Sequence, residues 1–296
     1  MGMFVPIIFN REPMPSQEPI IWLNGRLVPA SAACISPFDR GFTVGCAAFE
    51  TLRARRGQPF AVTRHWRRLV HSCQILGIQP PLLDVFKSCM TETLEANHLK
   101  EARVRFTVTA GDGQTSTASF GAGQTLVVHA VPIQSYADRE QVVTVPWSRN
   151  ERSVLTGAKC ASYAENMIAL AFAHKQGCGE AIFANTQGDL CEGATTNVFI
   201  VQDGVVLTPS TASGCLPGIT REIVLELCKL NNIGVEETKL PMNLFEEAEE
   251  CFLTSSTRGL QPIAKVGVKQ LSNNSHSLTL EILKFYHKLF IENDDP

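Results

Sequence analysis

The order of the predicted strands and helices restricts the fold of this chain more than any other feature of the sequence. In its first part, short strand patterns precede two segments with helical spacing of apolar residues, and two further strand patterns follow. These lie at residues 20–62 (strands), 63–76 and 81–97 (helices), and 103–109 and 125–131 (strands). Asn24-Gly25 predicts a tight hairpin, and Thr63 is the expected N-cap of the first helix. The Gly/Ser/Thr-rich stretch 111–123 matches no phosphate-loop spacing and predicts a hairpin tip.

A polar, proline-containing break near residues 132–139 has no periodicity, which is typical of a linker. After it, strand and helix patterns alternate up to an amphipathic helix at 278–291. We find no internal repeat, and 296 residues suffice for two cores. We therefore predict a two-domain α+β protein. Its expected parts are a small N-terminal domain (1–132), a linker (133–140) and a larger C-terminal domain (141–296).

Composition narrows the classes of partner. A net charge of −3 argues against nucleic acid or an anionic membrane surface, and no apolar run has the length of a membrane span. The apolar start, residues 1–10, lacks the basic region of a signal peptide and is expected to be a short extension. Ten cysteines form neither a CxxC pair nor a zinc-type cluster. Reduced thiols, no metal and a cytoplasmic location are therefore expected.

Lys159 is the first candidate for chemistry. It precedes a helical pattern in which Ser162 and Glu165 resemble a capping box and Gly177 is the expected C′ residue. The apolar residues between them predict a buried helix body. A lysine at the start of such a helix can have a lowered pKa and act as a nucleophile or base. Most lysines are solvated surface groups, so this stretch alone does not establish a site.

Three other segments strengthen the prediction that Lys159 belongs to a functional site. Glu192 is an acid beside a strand pattern, residues 216–221 open a helix with Gly and Thr at its start, and residues 254–257 are four consecutive hydroxyl residues. Separately, these features are typical of a loop acid, an ordinary helix start and a polar turn. A lysine, a carboxylate and an anion-binding helix start with hydroxyls are together what pyridoxal 5′-phosphate requires.

At this point the chain resembles a known family, the class IV aminotransferases, also called fold-type IV pyridoxal-phosphate enzymes. The family includes branched-chain and D-amino-acid aminotransferases and aminodeoxychorismate lyase. The resemblance runs from about Trp22 to Ile263 and rests on motifs in order: Ser36–Phe42, Phe49-Glu50-Thr51, His65–Leu69, Gly177–Ala181, Glu192–Phe199, Leu216–Arg221 and Thr254–Thr257. It implies a small α/β domain, a larger β-barrel-like domain with helices, and a homodimer.

The resemblance also assigns roles. Lys159 would attach the cofactor covalently and move the α-proton, and Glu192 would pair with the ring nitrogen. The cofactor phosphate is assigned to an arginine, a helix start and two hydroxyls, namely Arg68, Ile219, Thr220, Ser256 and Thr257. Tyr163 is a candidate partner of the ring hydroxyl, although a buried helix tyrosine is an equal alternative. His65 is expected to pack rather than bind.

Substrate-side residues depart from parts of the family. Ala110 stands where D-amino-acid aminotransferases have a carboxylate-binding arginine, which argues against a D-amino acid. Arg105 matches an arginine position of bacterial branched-chain enzymes, and Arg258 is another candidate for a carboxylate. Arg103 shares a strand face with Arg105, so a solvated basic face is the plainer alternative.

The expected function is transfer of the amino group of an L-amino acid, with a branched-chain amino acid as one candidate, to a 2-oxo acid. Aminodeoxychorismate lyase, which gives p-aminobenzoate and pyruvate, is the alternative. A third hypothesis is a non-catalytic protein that uses the same scaffold for binding. The expected partners are small amino and keto acids.

Overall fold

The structure, a computed structural model, describes residues 18–113, 123–271 and 277–296. The predicted leading extension (residues 1–10) and most of the 111–123 loop lie outside the described residues. Within them, two sheets divide the chain, the first ending at Pro132 and the second beginning at Glu140. Among the described residues no helix is both long and apolar enough to cross a membrane.

The first sheet has six strands, all paired antiparallel in the order β2-β1-β6-β5-β3-β4. The strands are β1 (Ile20–Leu23), β2 (Arg26–Pro29), β3 (Ala47–Arg55), β4 (Gln58–Pro59), β5 (Ala102–Thr109) and β6 (Leu126–Pro132). A short helix, α1 (Arg40–Thr43), precedes β3. Helices α2 (Val62–Leu76) and α3 (Leu83–Ala96) cover one face. Phe86 of α3 and Phe106 of β5 meet edge to face at 4.8 Å in this core.

The second sheet is mixed and follows the order β12-β11-β10-β13-β14-β7-β8-β9, with β15 beside β14. Its strands are β7 (Glu140–Arg149), β8 (Glu180–Asn185), β9 (Leu190–Gly193), β10 (Asn197–Gln202), β11 (Val205–Pro209), β12 (Val235–Thr238), β13 (Glu250–Ser255), β14 (Gly259–Val266) and β15 (Lys269–Gln270). Its helices are α4 (Ala164–Lys175), α5 (Ile219–Leu230), α6 (Met242–Glu247) and α7 (Leu278–Glu292). Near-continuous burial of β8, β9 and β10 shows that both faces of this sheet are covered.

The start of α2 corrects the predicted cap. Ala61, with φ of 56°, is the N-cap, and Thr63 lies inside the first turn. The amide and hydroxyl of Thr63 both donate to the carboxylate of Asp295, at 2.9 and 2.5 Å, and the Ala61 amide donates to the Asp294 carbonyl. The helix is therefore capped by the end of the chain, which no local pattern reveals.

The predicted capping box before α4 is also wrong. The Ser162 hydroxyl donates to the Gly45 carbonyl at 3.3 Å, and no side chain caps the helix, which begins at Ala164. The chain bends here to contact the first sheet, and this tertiary contact replaces the local cap. The expected C′ residue is confirmed, since Gly177 has φ of 72° just after the C-cap.

The body of α4 is only partly buried. Asn166, Ala169 and Ala173 face inward, whereas Met167 and Ile168 are more than half exposed. The expectation of a buried helix is therefore wrong for one face of α4, because apolar residues here surround the helix instead of forming one stripe.

Candidate active site

Lys159 lies where the second half of the chain joins the first sheet. Its carbonyl accepts the Phe49 amide of β3 at 3.0 Å, and the Ala161 amide donates to the Ala47 carbonyl at 2.8 Å. Its own amide donates to the Ser72 hydroxyl of α2 at 2.9 Å. Three backbone contacts therefore fix the lysine against β3 and α2.

The Lys159 amine lies in an apolar, cationic setting. Its Nζ is 4.6 Å from the centroid of the Phe49 ring. Burial and, next, the charge of Arg68 lower the pKa of Lys159 to about 8, although the carboxylates of Glu50 and Glu192 act in the opposite direction. Near neutral pH a useful fraction of the amine is therefore neutral, which is the nucleophilic form.

This lowered pKa predicts a pH profile. Raising the pH deprotonates the amine, so capture of pyridoxal phosphate by the apoprotein should speed up about tenfold per pH unit and level off near pH 8. Stopped-flow absorbance from pH 6 to 11 measures this rate. A rate that keeps rising toward pH 10.5, the ordinary lysine value, would contradict the burial of this amine.

Glu192 lies inside strand β9 and is not a loop acid. Its Oε2 accepts the Leu216 amide at 2.8 Å, and its Oε1 is 3.3 Å from the Arg149 Nε. Burial raises the pKa of Glu192, with Arg149 opposing the rise, and the acid interacts electrostatically with Lys159. A buried acid in reach of the amine suits a partner for a protonated ring nitrogen.

Tyr163 lies near Lys159, whose Nζ is 5.8 Å from the centroid of the Tyr163 ring. Its hydroxyl donates to the Ala194 carbonyl at 3.1 Å, just after β9, and its ring is edge-on to Phe49 at 5.5 Å. Burial raises the pKa of Tyr163 to about 12, so the hydroxyl stays protonated. Its role toward a cofactor ring stays a prediction.

Three of the expected phosphate residues, Arg68, Ile219 and Thr220, come together at the start of α5. Arg68 donates from Nη1 to the Pro217 carbonyl at 3.1 Å, which places the guanidinium beside the helix start formed by Ile219 and Thr220. A helix N-terminus next to a guanidinium is a site suited to an anion such as phosphate. The phosphate role of each residue stays a prediction.

Glu50 and His65 organise this end of the site. Glu50, fully buried, accepts two bonds from Arg68 at 2.8 and 2.7 Å and lies 2.6 Å from His65 Nδ1. The other ring nitrogen of His65 is 3.2 Å from the Ser256 hydroxyl. His65 is buried but hydrogen-bonded, so it does more than pack. The Tyr136 hydroxyl donates to the Thr257 hydroxyl at 3.0 Å.

From the sequence, His65 is expected only to pack and Glu50 has no assigned role. The sequence did contain a signal for this cluster. The spacing of His65 and Arg68 puts both on one face of α2, and Glu50 is an acid able to pair with them.

Replacing Glu50 with Gln should destabilise the protein by about 3–5 kcal/mol at pH 7, because Arg68 would keep a buried charge without its partner. Burial alone would raise the pKa of Glu50, but Arg68 and His65 outweigh it and lower the pKa to about 2. The stabilisation is therefore present above pH 4.5 and lost as the pH falls toward 2.

Urea unfolding of the wild type and of E50Q at pH 7 and pH 3 measures both effects. The matched control is E101Q, because Glu101 forms a half-exposed pair with Arg53 at 3.9 Å and should change stability by under about 1 kcal/mol. Equal losses in the two variants would contradict the importance of the buried pair.

The two candidate substrate arginines differ in placement. The Arg105 guanidinium lies over the Phe49 ring at 3.7 Å, so it is at most about 8.3 Å from the Lys159 amine. Burial lowers the pKa of Arg105, and Arg103 adds to this effect. Arg258 instead contacts Glu140 at 3.0 Å and the Gly179 carbonyl at 3.2 Å. The structure therefore brings Arg105, but not the donors of Arg258, to the lysine.

The fold and the geometry of the site together indicate the class of enzyme. An amine of lowered pKa, a buried acid and a guanidinium beside a helix start suit an enzyme that binds a phosphorylated aldehyde through a lysine.

The comparisons with known proteins give the family: the model of amino-transferase class IV matches residues 47–266, and the chain belongs to this family. A Methanocaldococcus jannaschii protein that bears the name of a branched-chain-amino-acid aminotransferase is 32% identical, over 86% of this chain and 90% of the relative. The aminodeoxychorismate lyase of Bacillus subtilis is 26% identical, over 91% and 94%.

Solved structures agree. The branched-chain aminotransferase of Thermoproteus uzoniensis, solved with norvaline, superposes with a TM-score of 0.88 at 27% identity, over 94% of this chain and 97% of that one. These findings confirm the predicted family, the fold class and the prediction that the protein is an enzyme.

Proposed function

We propose that this chain is an aminotransferase that moves the amino group of an L-amino acid to a 2-oxo acid. The observation that carries the proposal is the buried Lys159 amine, whose pKa is lowered to about 8 and which interacts with both Glu192 and Arg68. Pyridoxal 5′-phosphate is the cofactor, in keeping with the family and with the donors present. When bound, it supplies an electron-accepting ring that stabilises negative charge at the substrate α-carbon.

The chain's own residues perform the remaining steps. Lys159 would hold the cofactor covalently and would move the substrate α-proton through Nζ. Glu192 keeps the ring nitrogen protonated, and Phe49 excludes water beside the amine. The phosphate is bound by Arg68, Ile219, Thr220, Ser256 and Thr257, and Tyr163 orients the ring.

Arg105 binds a substrate carboxylate. Its guanidinium is at most about 8.3 Å from the Lys159 amine, which is close enough for one small amino acid to contact both groups. Branched-chain amino acids are candidates because the Methanocaldococcus and Thermoproteus relatives carry that name. Arg258 has no described contact that favours a substrate role.

Lyase activity is the second candidate, favoured by the Bacillus subtilis relative. The cofactor residues are common to both reactions, so they do not separate them. The test is a substrate panel with and without 2-oxoglutarate. An aminotransferase needs the acceptor, whereas a lyase releases pyruvate from aminodeoxychorismate alone. Purified protein that takes up no pyridoxal phosphate would refute both reactions and favour a binding protein.

The resemblance further supports a homodimer in the cytoplasm, with domains at 1–132 and 141–296. Exposed apolar residues such as Phe42 (78%) and Met167 (58%) are available for a subunit contact. Sedimentation of the active protein tests the dimer, and a fully active monomer would refute it.

A further inference from the structure

Arg258 directly follows the hydroxyl pair of the proposed phosphate site and lies in the turn between β13 and β14. Its side chain is only 9% exposed. Nη1 donates to Glu140 Oε2 at 3.0 Å and to Gln261 Oε1 at 2.9 Å, and Nη2 donates to the Gly179 carbonyl at 3.2 Å. The guanidinium therefore has protein acceptors on both of its terminal nitrogens.

Arg258 reaches strand β8, which pairs with strand β9, the strand that contains Glu192. Its Nη2 is 3.6 Å from Glu180 Oε2, and the same oxygen accepts the Thr195 hydroxyl at 2.6 Å. Thr195 lies just after β9, next to Ala194, whose carbonyl accepts the Tyr163 hydroxyl. Glu180 is fully buried, whereas Thr195 is exposed, so the link runs from the interior to the surface loop.

Arg258 also contacts the segment that joins the two sheets. Its guanidinium lies 4.9 Å from the centroid of the Tyr136 ring, and the Tyr136 hydroxyl donates to Thr257. Gln261, which shares Nη1, donates to the Ala137 carbonyl at 2.6 Å. One side chain thus connects the hydroxyl turn, the joining segment and the loop after Glu192.

From these contacts we infer that Arg258 is a positioning residue, which fixes the hydroxyl turn and the loop after Glu192 relative to each other. This inference rests on the proposed function. It differs from a substrate role because it predicts weaker binding of the cofactor itself, with no amino acid present. Removing the hydrogen bonds of the two terminal nitrogens of Arg258 should therefore raise the dissociation constant of pyridoxal phosphate. The KM for the amino donor should stay nearly unchanged.

The experiment uses R258K, which keeps the charge, and T195V, which breaks only the link from Glu180 to the loop after Glu192. Equilibrium binding of pyridoxal phosphate to each apoprotein is measured by absorbance. We expect the dissociation constant to rise about tenfold in R258K and several-fold in T195V, as for partners that orient ligating residues. The double variant should show less than the product of the two effects, since both interrupt one chain of contacts.

The control is F86L, a buried substitution in the core of the first sheet, which should lower the melting temperature without changing cofactor affinity. Unchanged cofactor affinity in R258K together with a raised KM would overturn the inference in favour of substrate binding. If R258K does not fold, unchanged affinity in T195V overturns it as well. Wild-type protein that takes up no cofactor would instead refute the proposed function.

Discussion

Replacing Lys159 with Ala lowers turnover by at least about 10⁴-fold, because it removes both the covalent attachment point and the group that moves the α-proton. Among the described residues, the cations that act electrostatically on Lys159 are Arg68 and Arg105, and a guanidinium does not serve as a base. The variant should also lose the visible absorbance of the attached cofactor. Steady-state assays and absorbance spectra of the purified variant measure the two losses.

The control for this substitution is K175A. Lys175 is exposed at the end of α4, the helix that follows Lys159 in the chain. Its replacement should change neither the turnover nor the visible absorbance. Appreciable turnover by K159A would show that another residue carries the reaction.

Replacing Glu192 with Gln should lower turnover by about 10²–10³-fold while the cofactor stays bound. An amide cannot keep the ring nitrogen protonated, so the ring accepts negative charge less readily in the transition state. The carboxamide keeps one acceptor oxygen, which can still accept the Leu216 amide, so the fold should survive although the new NH2 group then faces Arg149. Single-turnover rates with an amino donor alone, compared with cofactor affinity, separate the slowed proton transfer from lost binding.

Glu165 offers a matched control. It contacts the same Arg149, at 3.4 Å, but its side chain is 76% exposed on the first turn of α4. E165Q should therefore keep full turnover. Equal losses of turnover in E165Q and E192Q would mean that Glu192 acts by pairing with Arg149 and not by pairing with the ring nitrogen.

The chemistry of the site was accessible from the sequence because the reacting groups stand beside local signals. Lys159 precedes a helix, Glu192 a strand pattern, and Thr220 opens a helix with a glycine at its cap. Such signals depend on neighbours within a few residues. The same is true of the turn at Asn24-Gly25, whose two residues both have positive φ.

The hydrogen bonds that support these residues could not be predicted from the sequence, because they join distant parts of the chain. Asp295 caps α2 from 232 residues away, and Ser256 meets His65 across 191 residues. Local preference predicted Thr63 and Ser162 as caps, and tertiary hydrogen bonds replaced both. Arg258 illustrates the same limit: its position after the hydroxyls suggested a ligand, whereas its acceptors are protein groups on three other segments.

The backbone of Lys159 is hydrogen-bonded to strand β3, whereas Glu192 belongs to the other sheet. Cutting the chain between Pro132 and Glu140 would place β3 and Arg68 in one fragment and Lys159 with Glu192 in the other. Neither fragment alone could hold the amine in register with its acid. Catalysis would return only on reassembly of the two pieces, which makes enzymatic turnover a direct reporter of fragment complementation.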